Sequence, residues 1–504
     1  MQLSKKALPN LAGKKAEQPT DNIFSLPEKV LQFGTGVLLR GLCDYFIDKA
    51  NRQGIFNGRI VVVKSTAAGD ADAFSKQDNL YTICSRGINN ENIVEENIIN
   101  SAISRVLSAK SQWQEVLALA ESPSLQVIIS NTTEVGLQLV KESITADPPS
   151  SYPAKLLAVL YRRYQHFRGS ADSRLVVIPT ELLTENGTKL KGIVNELAEH
   201  NQLESDFVEW LNGSVRFCNS LVDRIVTKDP GDEILQELQK EIGYEDALLT
   251  MCEDYRLWAI EGDEETARIL SFTGADDGVF VEPDIDIYKS LKLHLLNGTH
   301  TFSACLAFLS GFETVKEAMD NPDFYQFVRT IMLSEIGSAM PANVPSQQIN
   351  DFGTKVLDRF SNPYLRHLWL NITFQCTTKM RNRNLPALKR YHELHHAAAP
   401  CMSMGFAAYI LFMRAVKKEN GTFYGSLDGR QYAINDDHAE FFYELWQQES
   451  SPAQIVRRVL GKDKLWGEDL NALAPFAAAV ENILEKMMSE GVQFKKLKTI
   501  LVPQ

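Results

Sequence analysis

Lys292, Asn297 and His300 are the residues whose types and spacing first suggest chemistry. An amine can deliver or remove a proton, and a carboxamide or imidazole can donate to an oxygen that is gaining charge. The three stand at i, i+5 and i+8 within residues 288–302. On an α-helix the third lies about 80° from the first and the second about 140°. Heads spread in this way do not share a narrow stripe, but they can line the wall of a cleft. Leu291, Leu293, Leu295 and Leu296 are expected to anchor the segment in a core. Apolar surroundings favour the neutral amine that a general base needs. The same pattern also suits an amphipathic helix with a solvated lysine.

Such a segment needs a scaffold, and the N-terminal half supplies strand and turn signals. Lys29–Phe33 reads as a short buried strand running into Gly34-Thr35-Gly36, then an apolar-periodic helix over Val37–Ala50. Arg59–Lys64 is a second strand, which completes a βαβ unit with glycines at its first turn. There a helix N-terminus can accept a pyrophosphate. The third glycine of the usual fingerprint is missing: position 39 is Leu39, and Gly41 follows two later. An ordinary tight turn fits the same residues. The second strand ends in Lys64-Ser65-Thr66, with no acid before Asp70 to bind a ribose hydroxyl. The choice between NAD and NADP therefore stays open, and Lys64 is compatible with a 2′-phosphate.

Two further runs open into polar loops. Leu125–Ser130 leads into Asn131-Thr132-Thr133-Glu134, and Arg174–Ile178 leads into Pro179-Thr180-Glu181. In a parallel sheet, ligands sit at such strand C-termini. After about residue 235 amphipathic helical patterns dominate, and Gly274–Asp286 reads as an acidic linker. The expected architecture is an α/β Rossmann-type domain over residues 1–276, followed by a mostly α-helical domain over residues 277–504.

Composition removes several function classes. The 504 residues are 44% hydrophobic and 23% charged, ordinary for a globular protein. A net charge of −12 offers no footprint for nucleic acid or an acidic membrane surface. The apolar run Cys401–Met413 is too short to span a bilayer. The N-terminus has no apolar signal segment, and seven unpaired-looking cysteines suggest reduced thiols in a cytoplasmic protein.

Two motifs compete for attention. His392-Glu393-Leu394-His395-His396 satisfies the zinc-hydrolase pattern His-Glu-x-x-His. Pro386 and Pro400 bracket it closely and no third ligand is signposted, so a polar helix is the expectation and no metal site is assigned. Residues 376–386 gather Lys379, Arg381 and Arg383 near a helix end, with Arg366 and His367 as further contributors. These cations either complement a helix dipole or form a lip for an anionic substrate.

Several stretches, taken in chain order, give the chain a family resemblance. Lys292-x-x-x-x-Asn297-x-x-His300 resembles the catalytic helix of long-chain polyol dehydrogenases of the mannitol dehydrogenase type. Gln32-Phe33-Gly34-x-Gly36-x-x-x-Arg40, Leu80-Tyr81-Thr82, Asn219 through Ile225, and Glu253 through Trp258 resemble other segments of that family. Asn131-Thr132-Thr133-Glu134-x-Gly136 and Asn362-Pro363-Tyr364 resemble its hexuronate-reducing branch. The position eight residues before Lys379, where the mannitol branch tends to carry arginine, is Asn371.

The resemblance implies metal-independent hydride exchange between a nicotinamide cofactor, NAD(H) with NADP not excluded, and a sugar acid. It implies Lys292 as acid/base, Asn297 and Asn186 as amides for the carbonyl oxygen, and His300 as orienting residue. It implies Phe33, Gly34, Thr35, Gly36, Arg40, Lys64, Thr132 and Glu134 at the cofactor, and Lys379 with Arg383 at the substrate carboxylate. Neither nucleic acid nor membrane is an expected partner. Oligomeric state and sugar stereochemistry are not legible.

Overall fold

Side chains along strand β1 (Glu28–Phe33) alternate between two apolar layers, Val30 in one and Leu31 and Phe33 in the other. Strand β2 (Arg59–Lys64) does the same with Ile60 and Val62 against Val61 and Val63. The period of two means that a sheet so patterned is buried on both faces. A hairpin of β3 (Tyr81–Asn89) and β4 (Asn92–Asn100) follows, then β5 (Ile103–Ser108), β6 (Val127–Ser130), β7 (Leu175–Pro179) and β8 (Val215–Phe217). The central sheet has the order β5-β2-β1-β6-β7-β8, and all its strands are parallel. Strand order reverses between β1 and β6, and the crevice at such a point is where open α/β sheets take ligands.

The structure is a computed structural model describing residues 1–11, 13, 15–64, 71–132, 136–227, 231–449 and 451–492. It forms two compact units, Met1–Gly87 with Ile93–Ile285, and Ile88–Asn92 with Asp286–Gln504. The first carries the parallel sheet. Helices Tyr152–Phe167, Asn186–His200 and Ser205–Ser214 contribute to the apolar layer on one face, and helix Cys43–Arg52 to the layer on the other.

Three sequence expectations shift here. The helix expected over Val37–Ala50 breaks at Leu42 into Val37–Gly41 and Cys43–Arg52. At the break the Gly41 carbonyl accepts a bond from Arg224 Nη1 at 2.5 Å, a partner outside the helix. Strands β9 (Ser220–Asp223) and β10 (Val226–Thr227) come first, and the strand-poor texture expected after residue 235 gives way to β11 (Thr250–Glu253), β12 (Leu257–Glu261) and β13 (Val279–Glu282). Strand β13 lies inside the expected linker and pairs in parallel with β12. Residues 277–285 therefore belong to the first unit, past the boundary expected at 276/277. Pairing with a neighbouring strand overrides the turn-rich local composition.

The second unit is mainly helical. Helix Pro400–Phe412 is apolar all round and buried, and helices Thr299–Leu309 and Ala474–Glu490 pack on it. Three segments in this unit are π-helical: Leu291–Gly298, Thr330–Ile336 and Met380–Asn384. The first packs against both of the others. Such turns are rare and concentrate at functional sites. Among the described residues no helix is long and apolar enough to cross a membrane.

Candidate functional site

The first unit supplies a ligand turn built on backbone. Gly34 has φ +131°, and a Cβ there would stand 2.9 Å from Leu39 Cδ1 and 3.1 Å from the Asn131 carbonyl oxygen. Only glycine fits this turn without strain. At exposed Gly36, which precedes helix Val37–Gly41, a Cβ would meet no described residue within 4 Å. Gly41 allows a close approach to β10, since a Cβ there would lie 2.7 Å from Val226 Cγ1.

The neighbouring strand end is organised by Glu181, whose carboxylate is 3% exposed. It accepts from the Thr132 backbone amide at 2.8 Å, the Thr132 hydroxyl at 3.0 Å and the Ser130 hydroxyl at 3.3 Å. Burial raises its pKa above the usual carboxylate range against the pull of those donors. Asn131 Nδ2 donates to the Thr180 carbonyl and hydroxyl, both at 3.0 Å. Sequence reasoning missed Glu181 as a site organiser, although its position directly after a buried strand was a usable signal.

The expected cofactor residues fall into distinct places. Gly34, half-buried Thr35, exposed Gly36 and Thr132 occupy the turn and the adjoining strand end. Phe33 contributes its backbone carbonyl to Asn131 N at 3.2 Å, while its ring lies in the core against Tyr152. Lys64 closes β2 and is largely buried. Residues 65–70, where a ribose acid was sought, and Glu134 lie outside the described residues.

Two expectations need correction. The Arg40 guanidinium is 3% exposed, donates to the Leu248 carbonyl at 2.7 Å and packs near the Phe74 and Tyr81 rings. It ties the first helix to the framework instead of facing a ligand. Asn186 is fully buried, its Nδ2 donating to the carbonyls of Pro179 (3.0 Å), Glu181 (3.1 Å) and Ser220 (3.1 Å). Its Oδ1 accepts from the Gly187 and Ser220 amides, each at 2.9 Å. An amide nitrogen has two hydrogens, so this one has none to offer a substrate carbonyl.

The second unit carries the proton-transfer candidates. Lys292 and Asn297 both lie on the π-helical segment Leu291–Gly298. Its i→i+5 hydrogen bonding sets residues five apart one turn above each other, where α-helical geometry had spread them. His300 follows on helix Thr299–Leu309. The π segment is pinned to the Met380–Asn384 turn by His294 Nδ1 donating to the Arg383 carbonyl (2.8 Å) and Asn384 Nδ2 donating to the Gly298 carbonyl (3.2 Å).

The His300 ring stacks on Phe360, centroids 3.9 Å apart and planes 5° from parallel, and meets His367 and Trp369 edge-on. Its buried Nε2 has no hydrogen-bond partner among the described residues. Burial, then His367, Arg359, Arg383 and Lys379, push its pKa well below the ordinary histidine value, so it is neutral. Burial likewise lowers His367, Lys379 and Arg383. Lys379 Nζ donates to the Ile372 carbonyl at 2.9 Å. Among the described residues no carboxylate lies within ion-pair distance of Lys379 or Arg383. Arg366 is exposed and paired with Glu313 at 2.8 Å. Arg381 is exposed, and His367 joins the cluster while its neighbour Arg366 does not. Phe360 and Trp369 carried no sequence signal, because stacking partners come from distant helices.

The His-Glu-x-x-His segment ends a helix, with His396 in the left-handed region. The Ser338 hydroxyl lies 3.2 Å from His395 Nε2. Among the described residues no three His, Cys, Asp or Glu side chains converge as metal ligands.

Residues 28–272 match the mannitol dehydrogenase Rossmann domain, and residues 284–488 the mannitol dehydrogenase C-terminal domain. The chain belongs to the mannitol dehydrogenase family. Relatives of this mannitol dehydrogenase family member include altronate oxidoreductases of Halalkalibacterium halodurans, 37% identical over 93% of each chain, and of Bacillus subtilis, 36% identical over 94% of this chain and 95% of that one. Among solved structures, D-sorbitol dehydrogenase shares the fold with a TM-score of 0.78 at 18% identity, covering 98% of this chain and 99% of that one. Pseudomonas fluorescens mannitol 2-dehydrogenase, in complex with NAD and D-mannitol, does so at 0.66 and 23%, covering 99% of both chains.

Proposed function

We propose that this family member is an NAD(H)-dependent tagaturonate reductase, interconverting D-tagaturonate and D-altronate in hexuronate breakdown. The altronate oxidoreductases that it resembles over most of its length support the reaction. The observation that carries an acidic substrate is the cation set about His300. In a chain of net charge −12, Lys379 and Arg383 stand half-buried with no ion-pair partner among the described residues. Leaving cations half-desolvated is costly unless a ligand carboxylate meets them.

Exposed Gly36 and the glycine turn fit a dinucleotide pyrophosphate. When bound, the nicotinamide supplies or accepts the hydride at the carbonyl carbon. The chain's own residues handle the rest. Lys292 gives a proton to the carbonyl oxygen on reduction and takes it back on oxidation. Asn297, one π turn away, donates to the same oxygen as it gains charge. Neutral His300 uses its unpartnered Nε2 for a substrate hydroxyl or for Lys292. Arg383 and Lys379 hold the carboxylate end, and the domain division at residues 285/286 puts all of these side chains on the helical unit.

The test is NADH oxidation with tagaturonate, fructuronate and fructose, each repeated with NADPH and with a chelator. Turnover fastest on tagaturonate with NADH and indifferent to chelator supports the reading. Preference for fructose overturns the acid assignment and keeps the Lys292 chemistry.

A further inference from the structure

Two stretches singled out by sequence leave residues that the proposed reaction does not use: Arg381 of the cation cluster and Glu393 of the His-Glu-x-x-His segment. Both line one cavity of about 730 Å³ on the helical unit, together with Asn382, Lys389, Arg390 and Trp466. The volume is in the range of small-molecule sites. Lys389 is neutralised by Glu468 at 2.9 Å. Arg390 spends its Nε on the Met340 carbonyl at 3.1 Å. Among the described residues neither Arg381 nor Arg390 has an acidic partner, and Glu393, which is exposed, has no cationic one. Buried Trp466 lies at the wall, its indole nitrogen bonded to the Val459 carbonyl at 2.7 Å.

The charges select a ligand class. Guanidinium groups pair with phosphate or carboxylate through two parallel hydrogen bonds. A bare anion would bring its charge against Glu393. A ligand with an anionic end and a hydroxylated body separates the two, since a carboxylate accepts from hydroxyls and the Asn382 amide both donates and accepts. The cavity also borders the turn that holds the proton-transfer segment. Arg381 and Asn382 line it, and the next two residues, Arg383 and Asn384, make the bonds to His294 and the Gly298 carbonyl.

We propose that this cavity binds a small polyhydroxylated anion, a sugar phosphate or a sugar acid, and that occupancy changes substrate affinity through the Met380–Asn384 turn. The test uses calorimetry on the full chain with glucose 6-phosphate, gluconate and inorganic phosphate, for the wild type, Arg381→Ala and Glu393→Gln. The two sugar probes distinguish the ester from the acid, and inorganic phosphate reports the anion alone. KM for the ketouronate is measured with and without the tighter probe. The expected result is one site per chain, at least about tenfold weaker in Arg381→Ala and weaker in Glu393→Gln, with a probe-dependent KM shift that Arg381→Ala abolishes. Lys292→Ala should leave the calorimetric signal intact. No binding by either sugar probe, binding unchanged in both cavity variants, inorganic phosphate binding as tightly as the sugars, or binding without a KM shift would overturn the proposal. The KM arm rests on the proposed reaction and the calorimetric arm does not, so the two failures are distinguishable.

Discussion

Beside the glycine turn of the first unit, the protein satisfies its own polar groups: Glu181 collects three donors, Asn131 is held by Thr180, and Asn186 uses both amide hydrogens on backbone. Around His300 in the second unit the opposite holds. Among the described residues His300 Nε2, Thr299 Oγ1, Ser303 Oγ, Trp369 Nε1 and Asn384 Oδ1 are buried without hydrogen-bond partners, and Lys379 and Arg383 have no ion pair. Buried polar groups are nearly always paired, so a cluster of exceptions marks where a ligand supplies the partner. The contrast is between the Glu181–Asn186 strand end, whose groups are paired, and the His300 surroundings; elsewhere the first unit also buries unpartnered atoms, such as Gln32 Oε1, Asp44 Oδ1 and Trp258 Nε1, among the described residues.

The largest test of this contrast is Lys292→Ala. Turnover should fall about 10³-fold, while NADH binding, followed by fluorescence, should stay close to wild type. Loss of both would break the division of labour. Asn186→Ala should do the reverse: a stability loss of about 3 kcal/mol in urea unfolding, because several buried backbone groups lose partners at once, with kcat in the surviving native protein within a few-fold. A catalytic Asn186 would instead lower kcat without lowering stability.

Glu335 tests how the second unit tolerates its buried charge. Its carboxylate is 4% exposed and accepts from the Cys401 and Met402 amides, each at 2.7 Å, at the start of helix Pro400–Phe412. Burial raises its pKa to about 7 from an ordinary 4.5. A raised carboxyl pKa means that the folded state holds the proton more tightly. Its contribution is therefore full below about pH 4.5, falls as pH rises toward 7 and levels off above, on the order of 3 kcal/mol in all. Unfolding measured across that window should lose this slope in Glu335→Gln.

Arg383→Gln should raise KM for the sugar acid by roughly 10- to 100-fold, the worth of one charge-assisted pair, and change KM for fructose little. Equal effects on both substrates would remove the carboxylate role. The smallest expected effect is Gly34→Ala, about 1 kcal/mol or somewhat more from the positive φ and the close Asn131 carbonyl, read as a lowered thermal midpoint with weakened NADH binding.

The first unit was the more legible in sequence because its signals are local. Arg59–Lys64 forms a strand with the expected limits, and Gly34-Thr35-Gly36 forms the expected turn. What failed there depended on distant partners: Arg224 reaches Gly41 across the chain, and β13 exists because β12 lies beside it. Asn186 was assigned by resemblance, and its role as a staple is set by carbonyls that no spacing displays. In the second unit Lys292, Asn297 and His300 were found by type, but their mutual geometry was drawn on a 3.6-residue period that the π-helical turn does not follow.

That turn also acts as a phase shifter. A π segment equals an α-helix with one residue too many, so whatever precedes it is rotated by one residue step relative to whatever follows. Lys292 sits at its upstream end and His300 just past its downstream end. Excising one leucine between them would leave composition and apolar character almost intact. It would nevertheless swing the amine about 100° around the axis away from the imidazole. The angular setting of the proton donor is thus encoded in a count of residues, and a substitution scan that preserves the count never samples it.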